Sequence, residues 1–170
     1  EYVTVVLNAL EDAVAASVKN LKGFDASTRV LIACDVSGSM QKAVSAKSKV
    51  MMFDIGLMLG MLMQSKCQRV VSGMFGDTWK IINMPNRNVL ANVEQYYKRE
   101  GEVGYSTNGY KVIDDLIARG VVMDKLMLFT DCQLWDSNHG GSSLAKSWAA
   151  YKAIAPDAKR WEAMRCRASS

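Results

Sequence analysis

Histidine is nearly absent from this sequence: His139 is the single one among 170 residues. Cysteine is sparse and scattered, at Cys34, Cys67, Cys132 and Cys166, with no CxxC pair. Together these absences exclude the usual zinc signatures, which need clustered thiolates and imidazoles. No apolar run can cross a bilayer. The longest, IGLMLGMLM at 55–63, falls far short of the roughly 20 residues a spanning helix requires. No signal peptide opens the chain, which starts without methionine and reads as a fragment or a processed product. The formal charge is only +4, with acids and bases mixed along most of the length. That balance permits an acidic partner but lacks the concentrated basic stripe of a dedicated nucleic-acid binder. No internal repeat is present.

What remains is the composition of an ordinary globular protein, long enough for one domain with a proper core. Val3, Val6, Leu7, Leu10 and Val14 follow helical spacing, so residues 2–20 read as an amphipathic helix and 21–28 as a linker. RVLIACD at 29–35 is a nearly continuous apolar run of strand length, the pattern of a strand covered on both faces. A methionine-rich, largely buried helix is expected over 45–64, and a strand over 69–76. WKIINM at 79–84 follows after so short a connection that an antiparallel hairpin is expected. Asn88 is placed to cap a helix over 89–99, and a glycine-rich loop leads into a helix that Gly120 stops. DKLMLFTD at 124–131 repeats the look of the first strand, and a helix follows over 144–154. The tail should hold another strand, although its residues are weak strand formers. Alternating strands and helices predict a doubly wound α/β domain over 29–170, with a mostly parallel sheet and helices on both faces, preceded by the leading helix and linker of 1–28.

In such sheets ligands bind beyond the carboxyl ends of the strands. The first strand ends in DVSGSM, with Asp35, Ser37 and Ser39 spaced by single residues. The strand over 124–131 ends in Thr130-Asp131, and the loop before the helix at 108–119 carries Ser106-Thr107-Asn108. Carboxylates and hydroxyls converging on one edge suit a hard divalent cation, Mg2+ above all, which takes oxygen ligands and keeps some water. Ser37, Ser39 and Thr107 would be neutral direct ligands. Asp35 and Asp131 would bind directly or through water and hold the hydroxyls in place. Neutral ligands leave the ion electrophilic, so an open position would attract a carboxylate or other anion from a partner.

DxSxS after the first strand, a Thr in the glycine-bearing loop and an Asp after the fourth strand resemble the metal-ion-dependent adhesion site of von Willebrand factor A domains, over roughly residues 29–155. The resemblance implies that Asp35, Ser37, Ser39, Thr107 and Asp131 are the five motif positions, and a Rossmann-like fold. YVTVVLNALEDAV, GYSTNGYKVIDDLI and LMLFTDCQLWD resemble the C-terminal half of Ro/TROVE-domain proteins. That narrower resemblance implies a ribonucleoprotein that binds Y RNA-like noncoding RNA and misfolded RNA ends in RNA quality control. It also implies a ring of helical repeats that this chain does not carry, so RNA binding rests on the resemblance and on no residue here.

Plainer readings stand beside these. Asp35, Ser37 and Ser39 could form a capped turn, and Thr107 could cap a helix. Methionines at helical spacing usually fill a core. Cys34 and Cys132, at strand ends, read as buried thiols in a reducing, cytoplasmic compartment, with disulfides the open alternative. Tyr96 and Tyr97 are expected to pack their helix on the sheet, His139 to be a solvated loop residue, and Lys159, Arg160, Arg165 and Arg167 to be a solvated end. An enzyme ranks last. A haloacid-dehalogenase-type phosphotransferase needs a second acid where Ser37 stands, and a serine hydrolase needs GxSxG with a placed imidazole. The expectation is a non-catalytic module of a Ro-like ribonucleoprotein, with an adhesion-type domain binding a protein carboxylate as the alternative.

Overall fold

The computed structural model describes residues 2–22, 24–85, 88–131 and 144–163, and for 161–163 the backbone alone. His139, Cys132, Cys166, Arg165 and Arg167 lie outside the described residues. Five strands form one sheet in the order β3-β2-β1-β4-β5: β1 Arg29–Asp35, β2 Arg69–Phe75, β3 Trp79–Ile81, β4 Lys125–Phe129 and β5 Lys159–Ala163. β1 runs parallel to both β2 and β4, β5 runs parallel to β4, and β3 is antiparallel on the β2 edge. The doubly wound α/β fold read from the sequence is therefore the fold observed.

The described helices are α1 Tyr2–Ser17, α2 Met52–Lys66, α3 Val89–Tyr97, α4 Tyr110–Ala118 and α5 Leu144–Ile154. The alternation of a strand divides β1 between them. Val30, Ile32 and Cys34 share a cluster with Phe53, Leu57 and Met61 of α2 and Tyr96 of α3. Leu31 and Ala33 share the opposite cluster with Val112, Ile113 and Leu116 of α4 and Tyr151 of α5. The sheet is thus covered on both faces, which is why β1 can be apolar at every interior position. The methionines of α2 do fill the core: Met61 is buried in this cluster, and Met52, Met58 and Met63 pack against it. No residue of Met52–Lys66 is exposed.

Several expectations need correction. α2 starts at Met52, well after position 45. The preceding stretch closes on itself instead, with Val44 N donating to Val50 O (2.9 Å) and Met52 N to Lys42 O (3.0 Å). Ser48 Oγ accepts from Val50 N at 2.9 Å, a local bond that competes with helix. Asp54 then caps α2 by accepting from Met51 N at 2.8 Å. Asn88 precedes α3 at φ 61°, a conformation asparagine tolerates, but makes no side-chain cap. Glu11 of α1 takes that role, its Oε1 accepting from Leu90 N at 2.9 Å. Tyr96 is buried, whereas Tyr97 is 44% exposed and leans on Phe53. Consecutive helical residues point about 100° apart, so one helix face cannot bury both. Arg160 is not a solvated end: its guanidinium lies 5.2 Å from the Trp148 ring centre.

α1 forms where expected, but none of its residues is buried, and Tyr2 is 89% exposed. Its apolar stripe meets the core only through Val14. Cys34 and Cys67 are buried free thiols, and burial pushes that of Cys34 up to about 12. Among the described residues, no helix is long and apolar enough to cross a membrane.

Candidate metal centre

The chain leaves β1 toward β2 and β3, then returns to place β4 on the other side of β1. The carboxyl ends of β1 and β4 are therefore the switch point of the sheet, the place where sheets of this kind bind ligands. Asp35 closes β1 and is buried among neighbours that hold its carboxylate. Oδ1 accepts from Ser37 N at 2.8 Å, and Oδ2 accepts from the Thr130 hydroxyl at 2.7 Å. The first bond ties the loop back on its own strand. The second ties β1 to the end of β4, across 95 residues of sequence. Burial pushes the Asp35 carboxyl above its ordinary value. The bonds from Thr130 and Ser37 pull it down, and the nearby charge of Asp131 adds to the upward push.

Beyond Asp35 the chain makes a short 3₁₀ turn, Gly38–Gln41. It turns Ser37 and Ser39 together, with their hydroxyl oxygens 3.1 Å apart. Neighbouring ligands on a magnesium octahedron with bonds of 2.0–2.1 Å are about 3 Å apart, so this pair has the spacing of two cis ligands. Ser37 makes no side-chain cap on the turn it opens. The loop carrying Thr107 lies against this turn, with Gly38 N donating to Tyr105 O at 3.3 Å. Thr107 and Asn108 are buried, and α4 starts at Tyr110, after Gly109, without a side-chain cap.

The structure thus brings the Asp35 and Thr107 segments and the end of β4 to one edge. Asp131 stands directly after Thr130, close enough for its charge to act on Asp35. Among the described residues no group of three His, Cys, Asp or Glu could hold a metal. A cation here would rest on hydroxyls and on the pair Asp35 and Asp131. That donor set fits a hard ion and not a soft one. In the sequence Thr130 is only one of the strand-end hydroxyls, and its bond to Asp35 is visible in the structure alone. Its place beside Asp131 at a strand end was the only signal. Asp77 gives less, since its short connection reads simply as a hairpin turn.

No protein-family model matches the chain. No curated protein matches it. Among solved structures it is similar to the crystal structure of the Deinococcus radiodurans RO (RSR) protein, with a TM-score of 0.68 and 18% identity over 91% of this chain. The fold is shared with a Ro protein. The matched region spans 30% of the length of that protein. At this identity the likeness establishes the α/β architecture and leaves the site to be argued from its own residues.

Proposed function

We propose that this domain is a non-catalytic, divalent-cation-binding module of a Ro-like ribonucleoprotein, of the von Willebrand factor A type. Ser37, Ser39 and Thr107 hold Mg2+, with Asp35 and Asp131 as direct or water-bridged acceptors. The bound ion supplies a fixed positive charge with an open position for an anion from a partner. The observation that carries the reading is the pairing of the Ser37 and Ser39 hydroxyls at 3.1 Å above a buried carboxylate held by Thr130. A polar turn serving only the fold has no need of an acidic side chain at that depth.

The loop that leaves the site carries positive charge and so favours an anionic partner group, which we take to be a phosphate. Between Asp35 and Asp54 the chain has no acidic residue, and Lys42, Lys47 and Lys49 are exposed on the loop that leaves the site. Single-stranded noncoding or misfolded RNA meets that requirement, and the likeness to a Ro protein supports it. A carboxylate-bearing protein partner is the second reading, favoured by the electrophilic character that neutral hydroxyl ligands leave on the ion.

A magnesium titration by calorimetry tests the centre. The parent should bind, and Ser37→Ala should lose about 10-fold or more in affinity. Equal binding by the two would remove Ser37 from the site, and no binding by the parent would end the cation reading. RNA binding is tested separately. Binding to a single-stranded RNA should be weak. With three lysines engaging phosphates, its affinity should fall with salt at a log–log slope of about −2. Tight binding that ignores salt would place the RNA surface elsewhere.

A further inference from the structure

Thr107 sits in a stretch with no regular structure of its own, between a 3₁₀ turn at Glu100–Val103 and the start of α4 at Tyr110. A ligand on such a loop needs something to hold it. The β2–β3 turn, Gly76-Asp77-Thr78, supplies that support along the whole loop. Thr78 N donates to Val103 O at 3.0 Å, and Asn108 N donates to Gly76 O at 3.1 Å. Ser106 N donates to Asp77 Oδ1 at 3.0 Å. The Asp77 carbonyl accepts from Asn108 Nδ2 at 3.2 Å and from Lys111 Nζ at 2.7 Å. On its other side the loop accepts the bond from Gly38 already described. Thr107 is therefore clamped between the hairpin turn and the Asp35–Ser39 loop.

Two glycines let these backbones meet. Gly104 has φ +74°, and a Cβ built on it would lie 2.1 Å from Asp77 Oδ2. A Cβ on Gly76 would lie 2.1 Å from Gly104 O. The Asp77 carboxylate is thus seated on the bare Cα of Gly104, with one oxygen turned to Ser106. Hydrogen bonds from Ser106, helped by the charge of Lys111, hold this carboxyl below its ordinary value. Both oxygens of the Asp77 carboxylate are thus taken up by the loop, Oδ1 by the Ser106 amide and Oδ2 against Gly104.

We propose that Asp77, seated on Gly104, is a positioning residue for the cation centre. It fixes the Thr107 loop against the Asp35–Ser39 loop and sets cation affinity without touching the ion. This rests on the cation reading above. Because Asp77 is exposed, its variants should fold. Magnesium affinity and metal-free melting temperature are measured for the parent, Asp77→Ala, Asp77→Asn and Asp77→Glu, with Ser37→Ala alongside.

Asp77→Asn keeps an oxygen in place for Ser106 N and should stay within about 3-fold of the parent. Asp77→Ala removes the acceptor, and Asp77→Glu moves it by a methylene. Both should lose about 10-fold, the lower end for residues that orient a ligand. Affinities that follow charge instead, with Glu equal to the parent and Asn as weak as Ala, would overturn the proposal in favour of a distant electrostatic effect. So would unchanged affinity in all three, with or without a lower melting temperature, while Ser37→Ala still loses binding. In that case the cation centre stands and the strut alone fails. Absence of binding by the parent sinks both together.

Discussion

Asp35→Asn is expected to cost the domain at least roughly 100-fold in magnesium affinity while making the metal-free protein more stable. Both effects have one cause. Asp35 is 1% exposed, and burial raises the affinity of its carboxyl for a proton above that of an ordinary aspartate. In the metal-free protein the ionised form therefore carries a desolvation cost. An asparagine fits the same bonds: its oxygen accepts from Ser37 N, and its NH2 donates to Thr130 Oγ. The gain should be about 1 kcal/mol, or ~2–4 °C in melting temperature for a chain of this size.

The pH dependence has a definite sign. A carboxyl whose folded value is raised binds more protons folded than unfolded, so its contribution is full below its unfolded value near 3.8. That contribution is lost as pH rises through the raised value. The metal-free parent should lose stability over that window, and Asp35→Asn should show a flatter curve. Melting curves from pH 4 to 8, with and without magnesium, check both claims. A variant less stable than the parent across that range would mean that the carboxylate serves the fold. A variant that still binds magnesium normally would remove Asp35 from the centre.

A large loss of stability from a small change is expected at Gly73→Ala. Gly73 is buried on β2, opposite Ile81 of β3. A Cβ there would lie 2.2 Å from the carbonyl oxygen of Lys80 and 2.6 Å from the Trp79 ring. The ring crosses the strand at the one place where no side chain stands, with its Nε1 donating to Asp115 Oδ2 at 3.2 Å. A methyl group cannot share that space. The neighbour it meets is partly backbone, which cannot move aside as a flexible side chain can. The expected cost is about 3 kcal/mol, with β3 displaced from the sheet. Urea unfolding followed by tryptophan fluorescence checks the cost. Amide exchange at Ile82, whose N–H donates to Ser72 O at 2.8 Å, reports whether β3 has left. A cost below about 0.5 kcal/mol would show that the hairpin yields easily. Because β3 carries the turn that holds Asp77, the variant should also weaken magnesium binding.

Much of the fold was legible in the sequence because its signals are local. Apolar runs of strand length at 29–35 and 124–131 each give way at once to polar residues, and both became buried parallel strands. The short connection before Trp79 announced the hairpin. Where local signals misled, a competing interaction had prevailed. Helical spacing before Met52 lost to the serine-closed loop. The cap expected of Asn88 went to Glu11, 79 residues from the amide it satisfies. The weak strand formers of 159–163 entered the sheet because β4 presented an unpaired parallel edge, which makes backbone pairing favourable whatever the side-chain preference.

The sequence by itself determined the α/β class and the oxygen-bearing loops at strand ends. Period and composition within a dozen residues decide which segments are strands, helices or turns, and a run such as DVSGSM sets its own local spacing of oxygens. The tertiary structure alone decided which loops meet. That β1 lies between β2 and β4, that Thr130 reaches Asp35, and that the hairpin turn grips the Thr107 loop all follow from pairings between segments far apart along the chain. Such pairings depend on which faces remain to be covered once the whole sheet assembles, and no local pattern carries that information.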